Sequence, residues 1–151
     1  MTGTDSLAPL LNGRVIGLAH YASRAVLETV LSRHGLGFQE FVTLRPVAVA
    51  DGPLGRDRLT DAVTGALKID AADVHRLVGN LLRAGLVAAD GPERVRVTDA
   101  GREVHGRVSA ETAAVSARIY AGIPRDELAV AGRVLALVTE RAEAELAAAR
   151  G

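Results

Sequence analysis

The chain has 151 residues, 48% of them hydrophobic and only 3% aromatic, with eighteen basic side chains balanced by eighteen acidic ones. That length fits one domain, or one compact unit with dimerising extensions, and a core of Leu, Val and Ala favours packed helices over a β-sandwich. Cysteine is absent, which excludes disulfides, iron–sulfur clusters and cysteine nucleophiles, and no apolar run approaches the roughly 18 residues of a membrane span.

In chain order, residues 7–34 carry a first helical pattern, with Val15, Leu18, Ala22, Val26 and Val30 stepping down one side and Gly35 and Gly37 marking its end. "GFQEFVTLRPV" restarts a shorter helix that turns Phe38, Phe41, Val42 and Leu44 inward, and Pro46 should close or kink it. "ADGPLG" (residues 50–55) reads as a loop. Residues 56–67 form a short helix with Leu59, Val63 and Leu67 in register. After a brief turn comes "DAADVHRLVGNLLRAGLV" (residues 70–87), whose Val74, Leu77, Val78, Leu81 and Leu82 make a buried stripe at i, i+3, i+4, i+7 and i+8. Its free face carries Asp73, Arg76, Asn80 and Arg83, with His75 beside them. Short helix, turn and longer amphipathic helix are the parts of a helix-turn-helix.

Residues 86–89 and 94–97 read as two short strands joined by a turn at Asp90-Gly91-Pro92-Glu93, placed as the wing of a winged helix. By strand alternation Arg94 and Arg96 point the same way. Residues 98–121 are helical again, with Thr98 or Asp99 as cap and Val104, Val108, Val115 and Ile119 inside. Gly122 and Pro124 break the pattern. The last helix, residues 125–149, repeats Leu128, Ala131, Leu135, Val138 and Ala142 at alternating three- and four-residue steps, the spacing of a coiled-coil seam. A chain this short can hardly bury both long apolar faces alone, so the stripe is expected to pair two copies.

This order of elements resembles the MarR family of bacterial transcription regulators. "HGLGFQEFVTL" resembles that family's passage from first to second helix, and "VHRLVGNLLRAGLV" its recognition helix. "VRVTDAGREV" looks like the second wing strand running into the fifth helix, with Val97, Thr98 and Gly101 at the family's Leu-Thr-x-x-Gly positions. The resemblance implies a mainly α fold with a small β-hairpin wing: a winged helix-turn-helix lobe (residues 35–98) plus a helical dimerisation body (residues 1–34 and 99–151). It implies a homodimer whose two lobes reach adjacent major grooves of a double-stranded operator. It also implies a pocket between body and lobe for phenolic or carboxylate compounds. The expected protein is a cytoplasmic, ligand-responsive repressor, not an enzyme, with no cofactor and no membrane partner; "MTGTDSLAPL" lacks the basic and apolar regions of a secretory leader.

Candidate DNA contacts are Lys68, Ala72, His75, Arg76, Asn80 and Arg83 on the helix-turn-helix and Arg94 and Arg96 on the wing. Residues 54–98 hold seven bases (Arg56, Arg58, Lys68, Arg76, Arg83, Arg94, Arg96) against six acids (Asp57, Asp61, Asp70, Asp73, Asp90, Glu93), a faint surplus for a DNA binder. Two departures from the family pattern bear on DNA. The hairpin is short and has no Asp-x-Arg pair, and the recognition helix starts on Asp70, Ala71, Ala72 and Asp73 where family members place Ser or Thr. Ionised carboxylates cannot donate to phosphates and repel them. They suit a helix start, with Asp70 as N-cap and Asp73 as its capping-box partner. Arg76 is then either a base reader or the i,i+3 partner of Asp73.

His20, Tyr21, Arg24, Phe38, Phe41 and Arg45 are the candidate effector pocket, with a guanidinium to grip an aromatic carboxylate; ordinary packing at the edge of the core is the alternative. His20, His34, His75 and His105 are scattered without metal-ligand spacing, so no metal is expected. The rival reading is a MarR-fold protein that has lost DNA binding and works as a small-molecule binder or enzyme through that pocket.

Overall fold

Asn12 sets the start of the first helix, α1 (Gly13–Ser32): its side-chain oxygen accepts the backbone N–H of Val15 at 3.0 Å. The computed structural model describes residues 8–151, and residues 8–12 precede the helix without regular structure. The helix expected from residue 7 therefore begins six residues later, and residue 7 itself, with the rest of 1–7, lies outside the described residues. Of the stripe that steps down one side of it, only Val30 is fully buried; Leu18 and Val26 stay exposed.

After the Gly35 turn, α2 (Phe38–Val49) runs through Pro46 instead of stopping there. Proline in a helix interior lacks the N–H that would bond the residue four back, so one hydrogen bond is missing while Leu44 and Val47 hold the helix into the core. A two-residue strand β1 (Leu54–Gly55) follows, in the segment expected to be loop, then α3 (Arg56–Leu67) and α4 (Ala71–Arg83). The wing strands are β2 (Val87–Asp90) and β3 (Arg94–Val97), turned by Gly91 at φ 71°. The sheet has the order β1-β3-β2, wholly antiparallel, with Leu54 opposite Val95 and Asp90 opposite Arg94. Two residues are too few to show an alternation, which is why β1 is invisible in sequence.

The core gathers one side of each of these elements: Val30 and Leu31 of α1, Leu44 and Val47 of α2, Leu59 and Val63 of α3, Val74, Val78 and Leu81 of α4, and Val95 of β3. Burying each such side chain contributes about 1.5–3 kcal/mol before chain entropy is set against it. Among the stripe expected on α4, Val74, Leu77, Val78 and Leu81 are buried and Leu82 packs at the core's edge.

The wing passes into α5 (Asp99–Tyr120) through Thr98, whose N–H and hydroxyl make three bonds besides the one its carbonyl accepts from the Arg102 N–H. Its N–H donates to the Leu86 carbonyl (3.1 Å), its hydroxyl donates to the Gly85 carbonyl (2.6 Å), and its oxygen accepts the Gly101 N–H (3.0 Å). Thr98 is thus the cap, and Gly101 lies so close to Leu86 that a Cβ there would sit 2.0 Å from the carbonyl oxygen. The Thr-x-x-Gly spacing is a helix cap fused to a backbone crossing.

The chain divides into two compact units, one ending at Ala113 and one covering Ala114–Gly151. The second holds the end of α5, a turn at Gly122 (φ 79°) and α6 (Arg125–Arg150). No residue of α6 is buried, and Val130, Leu135, Leu137 and Val138 are exposed along it. Ile119, expected inside, is exposed as well. Among the described residues of this second unit, none of these apolar side chains is buried.

Candidate nucleic-acid interface

The α3–α4 turn is short because Lys68 takes the left-handed conformation, φ 57°, ψ 40°. Its backbone N–H closes α3 on the Thr64 carbonyl (2.9 Å), and its ammonium reaches the Gly65 carbonyl. A side chain at positive φ is strained by about 1–2 kcal/mol relative to glycine. The next helix then begins at Ala71 with Asp70 in the N-cap position, in extended backbone.

The capping box expected there does not form. The Asp70 side chain makes no capping bond; its main-chain carbonyl accepts from Asp73 and Val74. Asp73 turns forward along the helix instead, and its Oδ1 accepts from Nη2 of Arg76 at 3.2 Å. Both side chains face solvent, 43% and 59% exposed. An aspartate side chain is one methylene shorter than the glutamate of a good capping box, and the guanidinium one turn on offers a charged donor instead.

Ala72 and His75 lie exposed on the same surface. Further along α4, Arg83 donates to the side-chain oxygen of Asn80 and lies across Gly79, where the absence of a side chain leaves it room. On the wing, Arg94 and Arg96 flank the buried Val95, and both are exposed, as alternation requires. Arg94 stands 4.0 Å from Asp90, its cross-strand partner. Arg96 lines an open polar cleft with Asp51, Pro53, Asp99 and Arg102.

The candidate effector residues fall into two groups joined through α2. Arg24 lies with its guanidinium carbon 4.3 Å from the centre of the Phe38 ring and its Nε on Glu28 at 2.7 Å. The His20 ring meets Tyr21 and Phe38 edge-on, at 5.3 and 6.5 Å. One turn further along α2, Phe41 stacks on His105 of α5 at 5.7 Å. Burial lowers the His105 pKa below its usual 6.5, and the positive charge of Arg45 lowers it further. His105 was not among the sequence-predicted pocket residues. The signal was its place beside Val104 on the inward face of α5, too common a pattern to single it out. Glu28 likewise went unnoticed, although it sits four residues from Arg24, the helical spacing of an ion pair.

Among the described residues no group of three or more His, Asp or Glu side chains is placed to hold a metal ion, and no helix is long and apolar enough to cross a membrane.

Three short helices, the last with a free polar face, and a three-stranded sheet closing on it define a winged helix-turn-helix. Solved structures of MarR-family regulators share this architecture. A Staphylococcus aureus MarR in complex with salicylate and kanamycin superposes with a TM-score of 0.76 at 14% identity, covering 87% of this chain and 90% of that one. CouR from Rhodococcus jostii RHA1, bound to p-coumaroyl-CoA, gives 0.71 at 18% identity over 84% and 90%. The Mycobacterium tuberculosis MarR-family protein Rv2887, in complex with DNA, gives 0.65 at 25% identity over 87% and 98%. No protein-family model and no curated protein matches the sequence. What is shared is the fold, a MarR-type winged helix.

Proposed function

We propose that the chain is a MarR-type transcriptional regulator: a cytoplasmic homodimer that reads double-stranded DNA with α4 and the wing and is released by a small aromatic or carboxylate effector. In this reading residues 35–98 are the DNA-binding lobe, and residues 1–34 and 99–151 are the body through which two copies pair. The observation that carries it is α4: four side chains lock one face into the core while Arg76, His75, Ala72 and Arg83 stand on the solvent side. Lys68 precedes this face, and Arg94 and Arg96 present cations from the wing. A rigid helix with one anchored and one polar face is what a major groove admits.

Pairing is supported by the exposed apolar side chains of α6 and by Leu18, Tyr21 and Val26 of α1, which a second copy would cover. The effector reading is supported by Arg24 on Phe38. The guanidinium stacks on an aromatic face and has donors left beyond the one given to Glu28, so an aryl carboxylate could be stacked and gripped at once. The DNA-bound Rv2887 and the ligand-bound CouR agree with both halves of the proposal.

The test is fluorescence anisotropy on duplexes carrying the protein's own upstream region, against scrambled duplexes, at 50 and 200 mM salt. Specific binding that weakens by about 10³-fold across that range supports the regulator. Sequence-blind retention alone supports the rival, a ligand binder or enzyme on a MarR fold, which the acidic start of α4 favours.

A further inference from the structure

Asp73 looks like an obstacle to DNA, yet its carboxylate is paired with Arg76 on the exposed side of α4. We propose that Asp73 is a specificity-determining residue of the recognition helix: it orients Arg76 toward a guanine and itself accepts a hydrogen bond from the amino group of a neighbouring cytosine. This rests on the DNA-reading function proposed above.

Three observations lead there. The Asp73 carboxylate is not used in capping: the N-cap position belongs to Asp70, and the Asp73 backbone N–H is bonded to the Asp70 carbonyl. The carboxylate instead meets Arg76 one turn on, at 3.2 Å, with both side chains exposed on the surface that would face a groove. And this contact engages one oxygen of Asp73 and one terminal nitrogen of Arg76, leaving each side chain capacity to spare. An arginine has five N–H donors and an ionised carboxylate only acceptors.

The chemistry of the groove then assigns the partners. Guanine offers two acceptors, O6 and N7, which a guanidinium held in one plane can meet together. Cytosine offers its N4 amino group, a donor that a carboxylate accepts. Side by side, Arg76 and Asp73 present a donor pair next to an acceptor, the complement of a guanine adjoining a cytosine. The same carboxylate disfavours the indiscriminate alternative. An arginine moving to the phosphate backbone would leave Asp73 unpaired beside a negative surface. Asp73 thus weakens binding to all DNA and strengthens the distinction between sequences.

Arg83 repeats the arrangement with a neutral partner. It is tied to Asn80 seven residues after the first pair, an advance of about 10.5 Å or roughly three base steps. Asn80 carries no charge, so it holds its arginine without repelling phosphate. The discriminating role therefore falls to Asp73.

The experiment is selection of the full-length protein against a pool of randomised duplexes, followed by anisotropy on the selected and a scrambled sequence. It is run for wild type, Asp73→Ala and Asp73→Asn, with circular dichroism to confirm that all three fold. Wild type should enrich a guanine with an adjoining cytosine. Asp73→Ala should bind scrambled DNA several-fold more tightly and lose about tenfold in the ratio of selected to scrambled affinity. Asp73→Asn should move the preference at the cytosine position to adenine, whose N6 and N7 pair with an amide. If both variants select the wild-type sequence with undiminished discrimination, Asp73 is no determinant and only this inference falls. If wild type selects nothing, the DNA-reading proposal falls and takes the inference with it.

Discussion

Replacing Gly101 with alanine separates two lines of reasoning that give opposite signs. Helix propensity favours the change, since Gly→Ala inside a helix stabilises by about 1 kcal/mol. The crossing at Leu86 opposes it. The new Cβ would stand 2.0 Å from the Leu86 carbonyl oxygen, 2.9 Å from its carbon and 3.0 Å from a Val97 methyl, and the nearest of these is rigid backbone. Restoring an ordinary contact of 3.4 Å requires the start of α5 to retreat by about 1.4 Å. That movement pulls Thr98 from the Leu86 and Gly85 carbonyls, which it now meets at 3.1 and 2.6 Å. Overpacking of this kind costs about 1–3 kcal/mol and each lost hydrogen bond about 0.5–1.5. The balance is a destabilisation of about 3 kcal/mol, which in a chain of this size lowers Tm by about 6–12 °C. Thermal melts followed by circular dichroism at one fixed protein concentration measure it, since pairing would make Tm concentration-dependent. A Gly101→Ala protein that melts at or above the wild-type temperature would refute the crossing as the reason for this glycine.

Three further outcomes follow from the same geometry. Lys68→Gly relieves a left-handed side chain at the end of α3 and should raise stability by about 0.5–1 kcal/mol in urea unfolding, while weakening DNA binding several-fold through the lost cation. Asp70→Ser removes a carboxylate that caps nothing and supplies a hydroxyl that can; anisotropy should show several-fold tighter binding to all duplexes with the preferred sequence unchanged. His105 has a folded-state pKa below 6.5, so the unfolded chain binds its proton more readily. Its contribution to stability should be complete above pH 6.5 and decline as the pH falls below that value. His105→Phe, which keeps a ring on Phe41, should flatten this part of the stability–pH curve.

The sequence is most legible where burial is periodic. In α4 the apolar positions recur on one face, and the structure buries Val74, Leu77, Val78 and Leu81 as their spacing requires. Thr98 and Gly101 are legible as a cap and a breaker, but not as one crossing, because Leu86 meets them only in three dimensions. The apolar stripes of α1 and α6 are legible as stripes, and the one on α6 as a seam for a second copy, but periodicity records only that a face is apolar and not what covers it. Pro46 does not close the helix, because packing of Leu44 and Val47 outweighs one missing helical bond.

At the candidate site the i,i+3 contact of Asp73 with Arg76 was legible and the long-range contacts were not. The pattern Asp-x-x-Asp at Asp70 and Asp73 suits a capping box as well as an ion pair, and side-chain reach decides it for Arg76. The stack of Phe41 on His105 joins positions far apart in the chain, which no local pattern encodes.

Hydroxyl-radical footprinting of a duplex carrying the best selected sequence tests the central claim most directly, that two paired copies place α4 in successive major grooves. The account predicts two protected patches on one face of the duplex, about one helical turn apart. Both should vanish together in Arg76→Ala. A single patch, or protection that Arg76→Ala leaves intact, would contradict it.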